Sequence, residues 1–317
     1  MLNKKSKIYI AGHNGLVGSS ILRVLKKKGY KNIFFKTSKE LDLRDQKKTF
    51  SYLLKIKPEA VIICAAKVGG INANNKFRAE FIYNNLAIQN NLIHGSFKAK
   101  VKNLIFLGSS CIYPKFAKQP LKEDYVLSGS LEYTNEPYAV AKIAGLKLCE
   151  NYNLQYKTNY KCLMPSNLFG PCDNYNSDNS HFFPAIIKKL YSAKMKNNNK
   201  KITFWGTGQS KREMTYVDDL AEAIIFFLKK KTKATLINIG SGYEKTIKDY
   251  VKYVSKKMNI KNKIIFDNNK EMDGMRRKIV SSSVAKKYGF YCKYNFDAAF
   301  DLVYKDFLLN KKKYLSM

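Results

Sequence analysis

Arginine, histidine, tryptophan and acidic side chains are all scarce in this chain. Its 317 residues hold one Trp, three His and 24 Asp plus Glu, against 58 Lys plus Arg. Long apolar runs are missing as well; the longest, such as residues 223–228, fall far short of the ~20 residues that a bilayer span needs. That shortage excludes a membrane-crossing helix. The opening segment MLNKKSKIYIAG is basic but has only a four-residue apolar stretch before glycine, too short for the core of a secretory signal. A cytoplasmic location is expected. The six cysteines, Cys64, Cys111, Cys149, Cys162, Cys172 and Cys292, form no C-x-x-C pair and no metal-ligand spacing. A zinc module and a disulfide framework are thereby excluded, the cysteines read as free thiols, and no metal is expected.

The scarcity of arginine also bears on the net charge of +34. Basic chains of this degree often meet nucleic acid, but only 6 of the 58 basic residues are Arg, whereas phosphate and base-edge recognition favour the Arg fork. The charge is also spread along the chain, as a Lys- and Asn-rich coding bias would leave it. No nucleic-acid partner is expected. The competing reading from that class, a basic binding module on a degenerate dinucleotide fold, predicts steeply salt-dependent binding to DNA or RNA.

What the chain does have is alternation. Apolar β-branched runs take turns with amphipathic stretches: residues 7–11 then 16–28, 32–35 then 46–55, 60–65 then 77–97, and 102–107. This pattern predicts an α/β fold, a doubly wound parallel sheet of the Rossmann kind with helices on both faces and ligands at the carboxyl ends of the strands. A helix over 138–156 and a strand over 160–164 continue it. Residues 167–180 then turn rich in Asn, Asp, Gly and Pro, which marks the exit into a second, smaller α/β lobe. The chain returns to the first domain with 217–229 and 235–239, and a final helix falls near 296–309. The expected division is a first domain over 1–170 plus 214–243 and a second lobe over 171–213 plus 244–317.

The segment IYIAGHNGLVGSSILRVL reads as strand, glycine turn and amphipathic helix, with Gly12, Gly15 and Gly18 spaced G-x-x-G-x-x-G. Gly12 permits the tight turn, Gly15 lets a pyrophosphate approach the backbone, and Gly18 lets helix pack closely on strand. The anion would rest on the helix N-terminus, whose free N–H groups and dipole favour it. A lone glycine fingerprint is weak, but on the first strand of an alternating pattern it points to a dinucleotide. Where an acid usually holds the ribose hydroxyls of NAD, the stretch FFKTSKELDL offers Lys36, Thr37, Ser38 and Lys39 before any carboxylate. That set attracts the extra phosphate of NADP, so NADP(H) is the expected cofactor. Asp42 and Leu43, just after, suit the adenine edge.

Hydride transfer to a carbonyl builds charge on oxygen, which calls for a proton donor with a cation nearby. Tyr138 and Lys142, in PYAVAKIAG, stand one helical turn apart on one face. With 22 Tyr in so Lys-rich a chain, chance alone supplies about four such pairs. The sequence has two, and the other, Tyr253 with Lys257, lies in a Lys-rich stretch without partners and reads as a solvated face. Tyr138 and Lys142 differ because LIFLGSSCIYP precedes them, so that Ser109 and Ser110 leave a strand end at the mouth of the cofactor cleft. Together they read as a Ser-Tyr-Lys reductase site.

At this point the sequence resembles a known family. GHNGLVGS, AAKVGGI, LGSSCIYPK, TNEPYAVAKIAGLKLCE and MPSNLFGP match, in order and spacing, the motifs of the GDP-L-fucose synthases, extended short-chain dehydrogenase/reductases. The match runs from about residue 7 to 184, resumes at WGTGQSKREMTYVDDLAEA and fades toward the C-terminus. The resemblance implies 3,5-epimerisation followed by NADPH-dependent 4-reduction of GDP-4-keto-6-deoxy-D-mannose in one pocket. It implies that Cys111 and His181 exchange protons at C3 and C5, that Tyr138 protonates the C4 oxygen, that Lys142 assists it and holds the nicotinamide ribose, and that Ser109 bonds the carbonyl. It also implies cofactor contacts at Asn14, Leu16, Val17, Ala65, Ala66, Leu107, Gly108, Ser110, Pro165, Asn167, Leu168 and His181. Substrate contacts are implied at Asn167, Lys189, Trp205, Arg212 and Asp273, and a homodimer through the helices near 77–97 and 138–156.

Composition alone leaves Cys111 a small buried hydrophobe and Trp205 a core aromatic. The family more often has Arg where Lys189 and Ser38 stand, and a basic residue where Asn14 stands. A 4-reductase or epimerase acting on another nucleotide sugar, such as a GDP-heptose, is the alternative within the fold.

Overall fold

Strands buried on both faces need no polar alternation, and the runs IYIA and AVII are buried at every position, the mark of a parallel sheet between helical layers. The computed structural model describes residues 2–176, 180–196, 198, 200–269 and 275–317. The first part of the chain forms β1 (Ile8–Ala11), α1 (Leu16–Lys27), β2 (Ile33–Phe34), α2 (Gln46–Ile56), β3 (Ala60–Ile63), α3 (Ile71–Lys76), α4 (Arg78–Lys98), β4 (Asn103–Leu107), α5 (Glu136–Tyr156) and β5 (Asn159–Pro165). Then follow β6 (Asn167–Phe169), α6 (Phe182–Lys196), β7 (Ile202–Phe204), β8 (Lys211–Tyr216), α7 (Val217–Lys229), β9 (Leu236–Ile239), β10 (Glu244–Thr246), α8 (Ile247–Lys257), β11 (Ile264–Phe266), β12 (Arg277–Lys278), α9 (Ser283–Lys287), α10 (Phe296–Leu309) and α11 (Lys311–Ser316).

Among the described residues the main sheet has six parallel strands in the order β2-β1-β3-β4-β5-β9. The doubly wound architecture expected from the alternation is what the chain adopts. Winding proceeds outward to β2 and then crosses back to β3, so the carboxyl ends of β1 and β3 flank the crevice where such folds bind ligands. On one face Ile10, Ile62, Ile105 and Leu163 meet Ile21 and Leu25 of α1 and Ile224 of α7. On the other, Tyr9, Val61, Phe106 and Cys162 meet Leu53 of α2, Leu92 of α4 and Leu146 of α5.

A second layer system begins where the sequence turns Asn- and Gly-rich. β10, β8 and β12 pair in that order with β6 beside β8, and β11 pairs with β7. Its core is largely aromatic, with Phe183, Tyr250, Phe296, Phe300 and Phe307 in one cluster. Glu213 on β8 is fully buried; its carboxylate accepts the Gly242 N–H at 2.7 Å and the Val280 N–H at 2.9 Å, which ties the chain leaving β12 to β8. Among the described residues, no helix is long and apolar enough to cross a membrane.

Candidate active site

The crevice is built from glycine upward. At the end of β1 the chain turns through Gly12 at φ +86°. A Cβ on Gly12 would lie 2.6 Å from Ala65 N, and one on Gly18 would lie 2.1 Å from Gly12 O, so both positions must lack a side chain for turn, β3 loop and α1 to close on one another. Gly15 differs. It is the N-cap of α1 without a side-chain cap, and a Cβ there would meet nothing nearer than Gly12 O at 3.7 Å. The first N–H groups of α1 therefore open onto free space, a cradle that fits a pyrophosphate.

The remaining cofactor candidates fall along the same rim. Asn14, Leu16 and Val17 belong to the turn and first helical residues, Ala65 and Ala66 follow β3, Leu107 to Ser110 follow β4, and Pro165, Asn167 and Leu168 span the step from β5 to β6. Beyond β2, Lys36 Nζ pairs with Glu40 Oε1 at 2.9 Å. Hydrogen bonds from Thr37 N–H, the Lys36 ammonium and the Thr37 hydroxyl hold Glu40 at about 2, so Lys36 already has a carboxylate partner and Ser38 lies on the same turn. Asp42 is likewise engaged: Arg44 reaches its carboxylate with Nη2 at 2.7 Å and Nε at 2.9 Å. Asn167 spends its amide on Glu213 O at 3.0 Å.

Lys142 is 3% exposed and donates from Nζ to Leu107 O at 2.8 Å. Burial lowers its pKa to about 8, with Cys162, Cys111 and Cys64 pulling the other way. Its ammonium stands 5.6 Å from the Tyr138 ring centroid. Burial and then Cys111 push the Tyr138 phenol above its ordinary range, so in the free protein Tyr138 holds its proton.

Cys111 sits in a single 3₁₀ turn, Ser110–Ile112, directly after β4. Burial raises its thiol pKa, while Lys278, the Ser109 hydroxyl and Lys142, in that order, oppose the rise. His181 lies just before α6; burial and then Lys278 lower its pKa. His181 is nonetheless exposed to solvent. Cys111 and His181 thus share a neighbour, Lys278, that sequence reading did not single out. One lysine among 52 carries no signal of its own.

The substrate candidates line the second layer system. Trp205 is 67% exposed, which rules out the core-aromatic reading, and Lys189 Nζ stands 5.0 Å from the Phe204 ring centroid and 6.0 Å from that of Trp205. Arg212 donates from Nη1 to Met275 O at 2.7 Å. Asp273 lies outside the described residues. The other Tyr-Lys pair is remote and occupied: Tyr253 donates to Asp297, and Lys257 pairs with Asp301 at 3.1 Å. Among the described residues no group of His, Cys, Asp and Glu could hold a metal.

A glycine cradle at the crevice of a doubly wound sheet, beside a serine, a protonated tyrosine and a buried lysine, defines a nucleotide-dependent oxidoreductase. The model of the NAD dependent epimerase/dehydratase family matches residues 8–240, and the chain belongs to that family. It is 44% identical over 310 residues to GDP-L-fucose synthase 1 of Arabidopsis thaliana, covering 98% of this chain and 95% of that protein. With the GDP-L-fucose synthase of Escherichia coli K12 it shares 40% identity over 319 residues, 98% of this chain and 99% of that one. Among solved structures, the GDP-mannoheptose C4 reductase MlghC of Campylobacter jejuni with NADP bound superposes with a TM-score of 0.89 at 34% identity, covering 97% of this chain and all of that one.

Proposed function

We propose that the chain converts GDP-4-keto-6-deoxy-D-mannose to GDP-L-fucose, by epimerisation at C3 and C5 and then NADP-dependent reduction at C4. The observation that carries this reading is the company Ser109, Tyr138 and Lys142 keep. A reductase needs only those three, yet a thiol, Cys111, follows Ser109 in the same turn and shares an electrostatic neighbour, Lys278, with the His181 imidazole. The near full-length identity with GDP-L-fucose synthases supports it. The glycine turn and the first N–H groups of α1 would hold NADPH, which would supply the hydride for C4. Lys36 and Ser38 are assigned to the 2′-phosphate, and the Lys36–Glu40 pair must open for Lys36 to serve it.

The 4-keto group acidifies the protons at C3 and C5, so Cys111 and His181 exchange one on each face through an enolate. The Ser109 hydroxyl donates to the C4 oxygen while it carries charge. When C4 is reduced, Tyr138 gives its proton to that oxygen, and Lys142, released from Leu107 O, holds the nicotinamide ribose and stabilises the phenolate left behind. Lys189, Trp205 and Arg212 are assigned to the nucleotide diphosphate, as cations and a stacking face suit phosphate and guanine.

The same reading keeps 1–170 plus 214–243 as the cofactor domain and 171–213 plus 244–317 as the substrate lobe. It pairs two copies through α4 and α5, where Tyr83, Val140, Leu154 and Tyr156 are exposed. The test is product identification by NMR after incubation with GDP-4-keto-6-deoxy-D-mannose and NADPH in heavy water. GDP-L-fucose with deuterium at C3 and C5 is expected. Reduction without deuterium would leave a simple 4-reductase, the reading favoured by the likeness to the Campylobacter enzyme, and no turnover would direct attention to another nucleotide sugar.

A further inference from the structure

Glu40 has no task in the reaction above, yet it holds a cation assigned to the cofactor. β2 runs parallel to β1 with Tyr9 opposite Phe34, so the residues after β2 emerge beside the glycine turn that follows β1. The two segments touch there: the His13 ring of the glycine turn stacks on the Phe35 ring at a centroid distance of 4.3 Å. Immediately beyond Phe35 the chain closes on itself, the N–H groups of Glu40 and Leu41 donating to Thr37 O at 3.1 Å and 3.0 Å. Within that turn the Glu40 carboxylate accepts the Thr37 N–H at 2.8 Å, the Thr37 hydroxyl at 2.8 Å and the Lys36 ammonium at 2.9 Å. Three donors fix the carboxylate in place and keep it charged around neutral pH. The arginine of this stretch is committed elsewhere: Arg44 reaches Asp42 with Nη2 at 2.7 Å and Asn84 with Nη1 at 3.0 Å.

In dinucleotide folds the adenosine ribose reaches the end of the second strand, where a carboxylate suits the bare 2′-hydroxyl of NAD and a cation suits the 2′-phosphate of NADP. This chain carries both in one ion pair. We propose that Glu40 is a specificity-determining residue for the cofactor: its fixed carboxylate competes with the 2′-phosphate for Lys36, and so weakens NADPH binding without weakening NADH binding. The inference rests on NADP(H) as the cofactor and on the assignment of Lys36 to the 2′-phosphate. Lys36 has a single charge, and the phosphate gains it only by drawing it off Glu40 or by lying close to a second anion. NADH meets neither obstacle, since its 2′-hydroxyl is neutral and can itself donate to a carboxylate. The preference for NADPH is therefore smaller than Lys36 alone would give.

The test is calorimetric titration of the full-length protein with NADPH and, separately, with NADH, in the absence of sugar. Glu40→Gln keeps an oxygen for the Thr37 donors and removes the charge. NADPH should bind this variant about fivefold more tightly than it binds wild type, the upper range for one exposed ion pair, while NADH affinity stays the same. The gain should shrink as ionic strength is raised. If Glu40 were only a brace for its turn, its loss would weaken both cofactors together. That result, an unchanged NADPH affinity in a variant that melts cooperatively, or a gain indifferent to salt, overturns the proposal. Should Glu40→Gln not fold, Lys36→Met decides: NADPH must weaken and NADH must not, because the 2′-phosphate would then face an unpaired carboxylate, and any other pattern counts against the proposal. The sugar takes no part in these titrations, so a failure of the epimerisation reading would appear separately, as absent deuterium in the wild-type product. Wild-type protein that bound NADH and not NADPH would overturn the cofactor assignment, and this proposal with it.

Discussion

Two groups that exchange protons need matched charge states, and here burial works against both. The Cys111 thiol is pushed above its ordinary value of 9.0 and the His181 ring below 6.5. The thiol with neutral imidazole dominates between those limits, and the fraction holding thiolate with imidazolium is constant there. Solvent-deuterium exchange at C3 and C5 should therefore be flat in pH across neutrality, falling only below the lowered histidine value and above the raised cysteine value. A sharp optimum at pH 6 to 7 in the exchange rate would contradict this. Replacing Tyr138 with Phe should cut 4-reduction by roughly 10²- to 10⁴-fold yet leave deuterium exchange at C3 and C5, since the Ser109 hydroxyl still meets the C4 oxygen; equal loss of both would assign Tyr138 to the epimerisation as well. At this scale the sequence was legible where spacing is local. Tyr138 and Lys142 are one turn apart and Ser109 and Cys111 share a turn, whereas Lys278, an electrostatic neighbour of Cys111, sits on β12, whose pairing with β8 no periodicity records. Lys36 and Asp42 were read as open to a ligand, but Glu40 and Arg44, their near neighbours in sequence, had already claimed them.

Helices and strands of the first domain were readable because each has a long buried face, and the expected helix near 138–156 is α5 (Glu136–Tyr156). Shorter elements were not. β8, KREMTY, and β10, EKT, are polar and have too few residues for a period. α3, INANNK, is rich in Asn, which helices disfavour, and it forms in a stretch that the alternation left unassigned. Close packing makes a sharper prediction. A Cβ on Gly145 would approach the Phe106 ring to 2.6 Å and Gln89 to 3.0 Å, and Phe106 lies 4.6 Å under the Lys142 ammonium. Gly145→Ala should therefore destabilise by about 1–3 kcal/mol in denaturant melts and weaken NADPH binding; full stability would mean that α5 can lift from the sheet freely. Should two copies pair through the outer face of α4 and α5 as proposed, placing Lys at both Tyr83 and Leu154, which are 69% and 71% exposed, should leave only folded monomer. Light scattering that finds unchanged mass would remove this face from the assembly.

Over the whole molecule, 58 basic residues face 24 acidic ones, and self-repulsion of that size opposes the compact state. Added salt screens it within a Debye length of about 10 Å at 0.1 M, so the melting temperature should climb as sodium chloride is raised from low to physiological strength. A falling one would show that the surface ion pairs outweigh the repulsion. The order in which the site is assembled has a separate consequence during synthesis. On the ribosome, the chain can close its six-strand sheet once β9 has emerged, and the cofactor cradle is then complete. β12 follows only later, so its pairing with β8 forms after the main sheet can close. A nascent chain thus becomes able to hold its dinucleotide before its second layer system is finished, and the two parts of the molecule mature in sequence.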